Sequence, residues 1–127
     1  MNALSKTELR IIRDMLVKQY GEHPPLLSQL AAASIINREF TGCGVYINLR
    51  VPPDTPPVDH LNAEISEGYR TIFAEPRDLV GFTLFIRNGY IKFLEGYTFG
   101  GGVEWPGELS DDWLASRPVA VEKQKAR

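Results

Sequence analysis

The sequence offers few side chains of the kinds that perform covalent or metal chemistry. Cys43 is the single cysteine, and His23 and His60 are the two histidines. Neither histidine lies at a ligand spacing from the cysteine or from the other histidine, whereas a transition-metal site needs several converging nitrogen or sulfur donors. His23 precedes a pair of prolines and His60 ends a proline-rich loop, which predicts exposed loop positions for both. The sequence therefore predicts no metal site and no cofactor.

A nucleophile made from Cys43 and His60 is conceivable, because Gly42 and Gly44 would leave the thiol in an open setting rich in backbone groups. No sequence signature joins the two residues, however, and a cysteine in a turn is more commonly packed as a small apolar side chain. The chain also lacks a G-x-S-x-G motif, a P-loop and a G-x-G-x-x-G motif. We therefore predict no catalytic residue and favour a non-enzymatic protein.

Residues 79–99 hold two apolar, β-rich runs on either side of Asn88-Gly89. This dipeptide readily supplies the two positive-φ residues of a type I′ turn, so the stretch predicts a β-hairpin. Counting outward from the turn gives one apolar face that contains a single carboxylate. The residues expected on that face are Val80, Phe82, Leu84, Ile86, Ile91, Phe93, Glu95 and Tyr97.

Glu95 is the most informative polar residue of the sequence. An ionised carboxylate among apolar side chains is costly unless it is paired or hydrogen-bonded. An ion pair with Arg38 is the favoured explanation, because the turn that follows Arg38 must lie near the sheet. Solvent access at the sheet edge and a ligand-binding or catalytic role are the two alternatives. A single carboxylate does not suffice for general acid–base catalysis, which usually needs a second titratable group with a different pKa.

Several aromatic residues and glycines indicate a binding surface at the far end of the hairpin. Gly81 and Gly96 are expected to face each other, leaving a dent for a backbone, an aromatic ring or a ligand. Aromatic side chains on a loop beside such a dent can bind a partner, although Trp105 as a cap on the core is the simpler explanation. The binding residues expected are Arg38, Cys43, Glu95, Tyr97, Phe99 and Trp105.

Two N-terminal helices are predicted ahead of the strands. Ser5 and Glu8 form a capping box before an apolar stripe, which predicts a first helix over Lys6–Tyr20. Prolines can open a helix but cannot continue one, so the pair at 24–25 predicts a second helix over residues 25–34.

The strands that follow complete an α+β pattern. Residues 45–51 alternate between apolar and polar side chains, which predicts a half-buried strand ending at the proline-rich loop 52–57. Residues 61–65 and 69–73 are weaker strand candidates. We predict two N-terminal helices packed on a predominantly antiparallel sheet of four or five strands. Residues 1–117 would form one domain, and residues 118–127 a frayed basic tail that is dispensable for stability.

Composition narrows the class of protein. The chain has 127 residues, of which 43% are hydrophobic and 24% charged, and this profile is typical of one globular domain. A formal net charge of −2 gives no general attraction for nucleic acid. The charged N-terminus predicts no signal peptide, and no apolar run approaches a membrane span. With a single cysteine, these features favour the cytoplasm and predict neither nucleic-acid nor membrane binding.

Two motifs carry a resemblance. An R-E-x-T-G-x-G turn precedes the first predicted strand, and a G-F-x-L-F…N-G…L-E-G-Y hairpin follows it; the residues are Arg38, Glu39, Thr41, Gly42 and Gly44, then Gly81, Phe82, Leu84, Phe85, Asn88, Gly89 and 94–97. The chain resembles a family of small bacterial α+β proteins of uncharacterised function that carry both motifs in this order. The likeness spans residues 36–106. It implies one compact domain in a bacterial cytoplasm, and it implies no activity or site.

Two hypotheses of function follow. The first is a non-enzymatic protein-interaction domain that uses an aromatic, acid-rimmed surface near residues 97–108. The second is a small-molecule-binding or hydrolytic domain with a pocket near Glu95, Arg38 and Cys43. A deep pocket would favour the second and a flat apolar patch the first. The partner expected is a second copy of the chain or another protein. The homodimer contact expected is the hairpin face with Phe85, Tyr90 and Leu94.

Overall fold

The computed structural model describes residues 3–67, 70–71, 79–98 and 105. This part of the chain contains α1 (Lys6–Tyr20) and α2 (Pro24–Ala32), followed by strands β1 (Ser34–Phe40), β2 (Gly44–Arg50), β3 (Ala63–Ser66), β4 (Arg70–Thr71), β5 (Leu79–Arg87) and β6 (Tyr90–Thr98). Two helices packed on an antiparallel sheet make the predicted α+β fold. Phe99, the domain boundary at residue 117 and the tail at 118–127 lie outside the described residues.

Helix α1 begins and ends where the sequence predicts. The Ser5 hydroxyl accepts a hydrogen bond from the Glu8 N–H at 3.1 Å, and Glu8 Oε1 accepts from the Ser5 N–H at 2.8 Å. Gly21, at a φ of 73°, ends the helix, and its N–H donates to the carbonyl oxygen of Val17. Positive φ favours glycine, so the capping box and this glycine together set both ends of α1.

Helix α2 ends two residues earlier than the sequence predicts. It begins with two prolines and ends at Ala32, and Ser34 is already the first residue of β1. Ile35 is buried in the sheet opposite Leu49. The alanine-rich end of α2 favours a longer helix, but burial of Ile35 in the sheet outweighs that weak propensity.

The sheet places the hairpin at its centre. The strand order is β1-β2-β6-β5-β3, and β4 pairs with the beginning of β5. Every pairing is antiparallel. Strand β2 ends at Arg50, just before the proline-rich loop, as the sequence predicts. The hairpin of β5 and β6 is therefore bordered by β2 on one side and by β3 on the other.

The Asn88-Gly89 turn forms as predicted, with φ values of 53° and 83°. The loop before β3 packs directly on it. The Val58 N–H donates to the Gly89 carbonyl at 2.9 Å, and the Gly89 N–H donates to the Leu61 carbonyl at 2.8 Å. A Cβ at Gly89 would lie 2.5 Å from the Val58 carbonyl oxygen. Glycine is thus required here both for its positive φ and for this close approach.

A β-bulge changes the register of the hairpin. Ile86 pairs with Ile91 near the turn, but Phe85 pairs with Phe93, so Lys92 is an extra residue on β6. Each residue of β6 beyond Lys92 consequently points to the face opposite to the predicted one. The predicted apolar face is correct for β5 and for Ile91. It is wrong for Phe93, Glu95 and Tyr97, because beyond the bulge Leu94 and Gly96 are the residues of β6 on the buried face.

The hydrophobic core lies between the two helices and one face of the sheet. The sheet contributes Ile35, Val45, Ile47, Leu49, Ile65, Val80, Phe82, Leu84, Ile86, Ile91 and Leu94. The helices contribute Ile11, Ile12, Met15, Leu16, Leu26 and Leu30, and the core also includes Leu4 and Trp105. We call the opposite side of the sheet the outer face. It includes Asn37, Glu39, Tyr46, Asn48, Arg50, Glu64, Ser66, Thr83, Phe85, Arg87, Phe93, Glu95 and Tyr97.

Candidate functional site

Arg38 holds a buried carboxylate, but this carboxylate belongs to Glu8 and not to Glu95. Arg38 Nε lies 2.8 Å from Glu8 Oε2, and Arg38 Nη2 lies 2.8 Å from Glu8 Oε1. The Glu8 side chain is 1% exposed and that of Arg38 is 17% exposed. Arg38 is opposite Ile47 on the core face of β1, whereas the bulge turns Glu95 to the outer face. The predicted Arg38–Glu95 ion pair is therefore wrong, and the ion pair instead joins α1 to β1.

Glu8 serves two purposes, of which sequence analysis found one. Its Oε1 accepts both the Ser5 N–H and Arg38 Nη2. The missed signal is its position on the helix, three and four residues before the buried Ile11 and Ile12. Residues at that spacing share a helix face, so a capping glutamate there must be buried and requires a cationic partner.

Gln29 is a second buried polar residue that sequence analysis missed. Its Nε2 donates to the Gly89 carbonyl at 2.7 Å and to the Pro56 carbonyl at 3.3 Å, and its Oε1 accepts from the Ile91 N–H at 2.9 Å. The residue is fully buried. One side chain of α2 thus fixes both the hairpin turn and the proline-rich loop, which is a structural role.

The two glycines of the hairpin do not form a shared dent. Gly81 pairs with Tyr97, and a Cβ there would lie 2.6 Å from the Tyr97 ring. Gly96 pairs with Phe82 on the other face, and a Cβ there would lie 2.8 Å from both the Phe82 and Trp105 rings. Each glycine is therefore required because an aromatic ring of the same chain covers it.

Trp105 is buried on the core side. Its ring meets Phe82 edge-on, with the ring centroids 6.0 Å apart, and the backbone N–H of Trp105 donates to the Gly42 carbonyl at 2.7 Å. Trp105 therefore closes the core beside the β1–β2 turn, and it contributes no aromatic surface to the outer face. Tyr97 lies on that outer face, over Gly81.

Cys43 is exposed in the β1–β2 turn, and its carbonyl accepts the Thr98 N–H at 2.9 Å. His60 precedes Leu61, which contacts the opposite, turn end of the hairpin through Gly89. The nine residues of β6 separate these ends, which corresponds to roughly 25 Å. Cys43 and His60 are therefore too far apart to form a nucleophilic pair. Within the described ranges no three metal-binding side chains gather.

The sequence-predicted pocket is not assembled from its three residues. Arg38 lies on the core face, Glu95 on the outer face, and Cys43 in a turn at the edge of the sheet. Side chains on opposite faces of one sheet cannot line a single cavity.

The outer face instead gathers aromatic rings across its three central strands. Phe85 and Phe93 are stacked, with centroids 4.2 Å apart and an interplanar angle of 16°. Tyr46 meets Phe93 at 5.8 Å and 71°. The guanidinium of Arg87 lies 5.3 Å from the centroid of the Phe85 ring, and Arg87 Nη2 pairs with Glu64 at 2.9 Å. All three rings are half-buried.

Next to these rings lies a row of polar residues. In register from β1 to β3 it comprises Glu39, Tyr46, Glu95, Thr83 and Ser66. The row contains two carboxylates and no base. Asn48 Nδ2 donates to Glu39 at 2.8 Å, whereas Glu95 makes no hydrogen bond or ion pair with any described residue. Among the described residues, Glu95 is thus an uncompensated carboxylate beside aromatic rings.

No protein-family model, no curated protein and no solved structure matches the chain. The bacterial origin and cytoplasmic location implied by the resemblance accordingly stay predictions. In the ranges that the structure describes, neither helix has the length and apolar character needed to cross a membrane.

Proposed function

We propose that the chain is a non-enzymatic protein-interaction domain and that its outer face is the binding surface. The observation that carries this proposal is the set of half-buried rings of Tyr46, Phe85 and Phe93 on that face. The rings hold one another in place, so little side-chain entropy remains to be lost on binding. Aromatic side chains are also the residue types most enriched where binding energy concentrates in interfaces. This surface differs from the one predicted near residues 97–108, most of which lies outside the described residues.

The charges of the outer face indicate the chemistry of the partner. Glu39 and Glu95 lie in one row without a base. Arg87 is already paired with Glu64, and Arg50 lies at the end of β2, four residues beyond the Tyr46 of this row. Complementary potentials steer encounters and disfavour wrong partners. The partner we propose is therefore a protein that presents basic side chains among apolar ones. The setting we propose, a bacterial cytoplasm, is the one that the resemblance and the single cysteine favour.

The alternative, a small-molecule-binding or hydrolytic domain, has less support. Its pocket would need Glu95, Arg38 and Cys43 together, and these residues lie in three separate places on the sheet. Arg38 is moreover engaged by the buried carboxylate of Glu8.

The test begins with the proteins that co-purify with the full chain. The affinity of the strongest purified partner is then measured for the wild type, Phe93→Ser and Ile36→Ser. Ile36 is 54% exposed on β1 and serves as the control for loss of an exposed apolar side chain. We expect Phe93→Ser to weaken binding at least about tenfold, equal to about 1.4 kcal/mol, and Ile36→Ser to leave it unchanged. An affinity that is unchanged by Phe93→Ser would refute the outer face as the binding surface.

A homodimer is the second candidate, and one observation favours it. β1 lies at the edge of the sheet in the described topology and exposes Ile36 at 54% and Phe40 at 49%. An apolar edge strand can pair with the same strand of a second copy about a two-fold axis. This contact differs from the one expected from the sequence, the hairpin face with Phe85, Tyr90 and Leu94, of which Leu94 is fully buried in the core.

Sedimentation across a hundredfold range of concentration tests this candidate. We expect weak self-association that Ile36→Lys abolishes and Phe93→Ser does not change, because a charged edge strand resists pairing. A strict monomer at every concentration would remove the homodimer.

A further inference from the structure

We infer that Glu95 and the rings around it recognise a cationic side chain, the ammonium or guanidinium group of a lysine or arginine presented by a partner protein. This inference rests on the proposed function and names the chemical group that the outer face binds. The structural basis is the juxtaposition of one uncompensated carboxylate with the rings of Tyr46, Phe93 and Tyr97.

The register fixes the position of Glu95 among its neighbours. Glu95 lies directly between Tyr46 of β2 and Thr83 of β5. Opposed residues of antiparallel strands have Cβ atoms about 4.5–5.5 Å apart. Phe93 and Tyr97 are two residues away on the same strand and share the face of Glu95. Three aromatic side chains therefore border the carboxylate.

The neighbours of Glu95 that the structure describes leave its charge without compensation. It makes no hydrogen bond or ion pair with the described residues, although it is only half-exposed. The hydroxyl of Thr83, which is opposite Glu95 on β5, is hydrogen-bonded to Ser66 Oγ at 3.0 Å. Arg38 is committed to Glu8, and Arg87 to Glu64. A partly desolvated carboxylate of this kind gains most from a cation brought by a binding partner.

The rings supply the remaining part of a cation site. Tyr46 and Phe93 meet edge to face, at 71° with centroids 5.8 Å apart, and one face of Phe93 is stacked on Phe85. The faces of such rings carry negative potential and attract ammonium and guanidinium groups. Glu39 lies on the other side of Tyr46 and adds a second carboxylate to the row. A cation on Tyr46 would thus contact a ring and lie between two acids.

The test is a titration of the isotope-labelled full chain followed by amide chemical shifts. The probes are N-acetyl-lysine amide, N-acetyl-arginine amide and N-acetyl-norleucine amide, the last being an uncharged side chain with a similar apolar stem. We expect both cationic probes to shift the amides near Tyr46, Glu95 and Tyr97 saturably. We expect the norleucine probe to bind at least about tenfold more weakly, because each cation–ring contact is worth a factor of roughly two to thirty.

Two matched variants locate the charge that matters. Glu95→Gln removes the uncompensated carboxylate, and Glu64→Gln removes one from the same face that Arg87 already neutralises. We expect Glu95→Gln to weaken binding of the lysine probe at least about fivefold and Glu64→Gln to change it less than about twofold. Amide spectra of both variants must retain the dispersion of the wild type.

Three results would overturn the inference. They are equal binding of the norleucine and lysine probes, equal effects of the two glutamate variants, and no saturable shift with either cationic probe. The proposed function is judged separately by Phe93→Ser and the purified partner. If partner binding is weakened by Phe93→Ser but unchanged by Glu95→Gln, the proposed interaction domain stands and the cation site is rejected. If the cationic probes bind at Glu95 but Phe93→Ser does not weaken partner binding, the cation site stands and the outer face is rejected as the partner-binding surface.

Discussion

Replacing Arg38 with Met should destabilise the fold strongly, because it leaves the Glu8 carboxylate buried without its cation. Two bonds of 2.8 Å join the pair, and the Glu8 side chain is 1% exposed. Breaking a buried ion pair by removing one partner costs about 3–5 kcal/mol. Arg38 retains some exposure, so we expect the lower end, about 3 kcal/mol of the free energy of unfolding. In a domain of this size that corresponds to a melting temperature lower by about 12 °C.

A double-mutant cycle separates this ion pair from other effects of the substitutions. Glu8→Gln should cost only about 1–2 kcal/mol, because glutamine can keep the capping bond to the Ser5 N–H. Combining it with Arg38→Met removes both charges, so the double variant should be at least about 1 kcal/mol more stable than the sum of the single losses predicts. The free energies come from urea denaturation followed by circular dichroism.

The exposed pair of Arg87 and Glu64 provides the matched control. Its side chains are 39% and 59% exposed, and its N–O distance is 2.9 Å, close to that of the buried pair. Arg87→Met should therefore cost less than about 1 kcal/mol. Two results would refute the reasoning: a cost of Arg38→Met no larger than that of Arg87→Met, or single losses of the Arg38–Glu8 cycle that simply add. Either would show that burial of the Glu8 carboxylate does not make its ion pair with Arg38 important for the free energy of unfolding.

Three further substitutions test the packing around the hairpin. Gln29→Met should cost about 2–4 kcal/mol by urea denaturation and speed amide exchange at Ile91, and an unchanged exchange rate would show that the buried amide does not hold that N–H. Gly89→Ala should cost more than about 2 kcal/mol, because it combines an unfavourable φ with a Cβ too close to backbone; a melting temperature within 2 °C of the wild type would contradict this. Gly96→Ala should cost about 1–3 kcal/mol by displacing the rings of its neighbours, including Trp105, and a neutral effect would mean that the rings move freely.

The sequence predicts those elements whose signals are local. The capping box and Gly21 define α1 to the residue, and Asn88-Gly89 defines the hairpin turn. Each of these signals acts within a few residues, through a backbone hydrogen bond or a positive φ. The order of helices and strands then leads to the α+β class without any knowledge of tertiary contacts.

The side-chain facing of β6 could not be predicted in the same way. Alternation is a strict period of two, and one extra residue reverses it for the rest of the strand. Lys92 is not a glycine or a proline, so nothing in its type indicates a bulge. Each misplaced candidate residue beyond it, Glu95 above all, follows from this single shift.

The partners of buried polar groups were also beyond the sequence. The sequence predicts Arg38 as the cation for a buried carboxylate, but that carboxylate lies thirty positions earlier, in α1. Gln29 bonds to backbone groups sixty and sixty-two positions away. Such pairings depend on how helices dock on the sheet, which no local pattern contains.

The bulge at Lys92 also determines how the chain can change its length over evolution. Deleting this one residue would restore regular alternation and turn Phe93, Glu95 and Tyr97 inward while Leu94 and Gly96 turn outward. The same loss at the exposed Pro53 or Asp54 would alter only the path between two strands, because the contacts of this loop with α2 and the hairpin begin at Thr55 and Pro56. Homologous chains should therefore vary in length at residues 53–54 and keep a constant count between the turn and the end of β6.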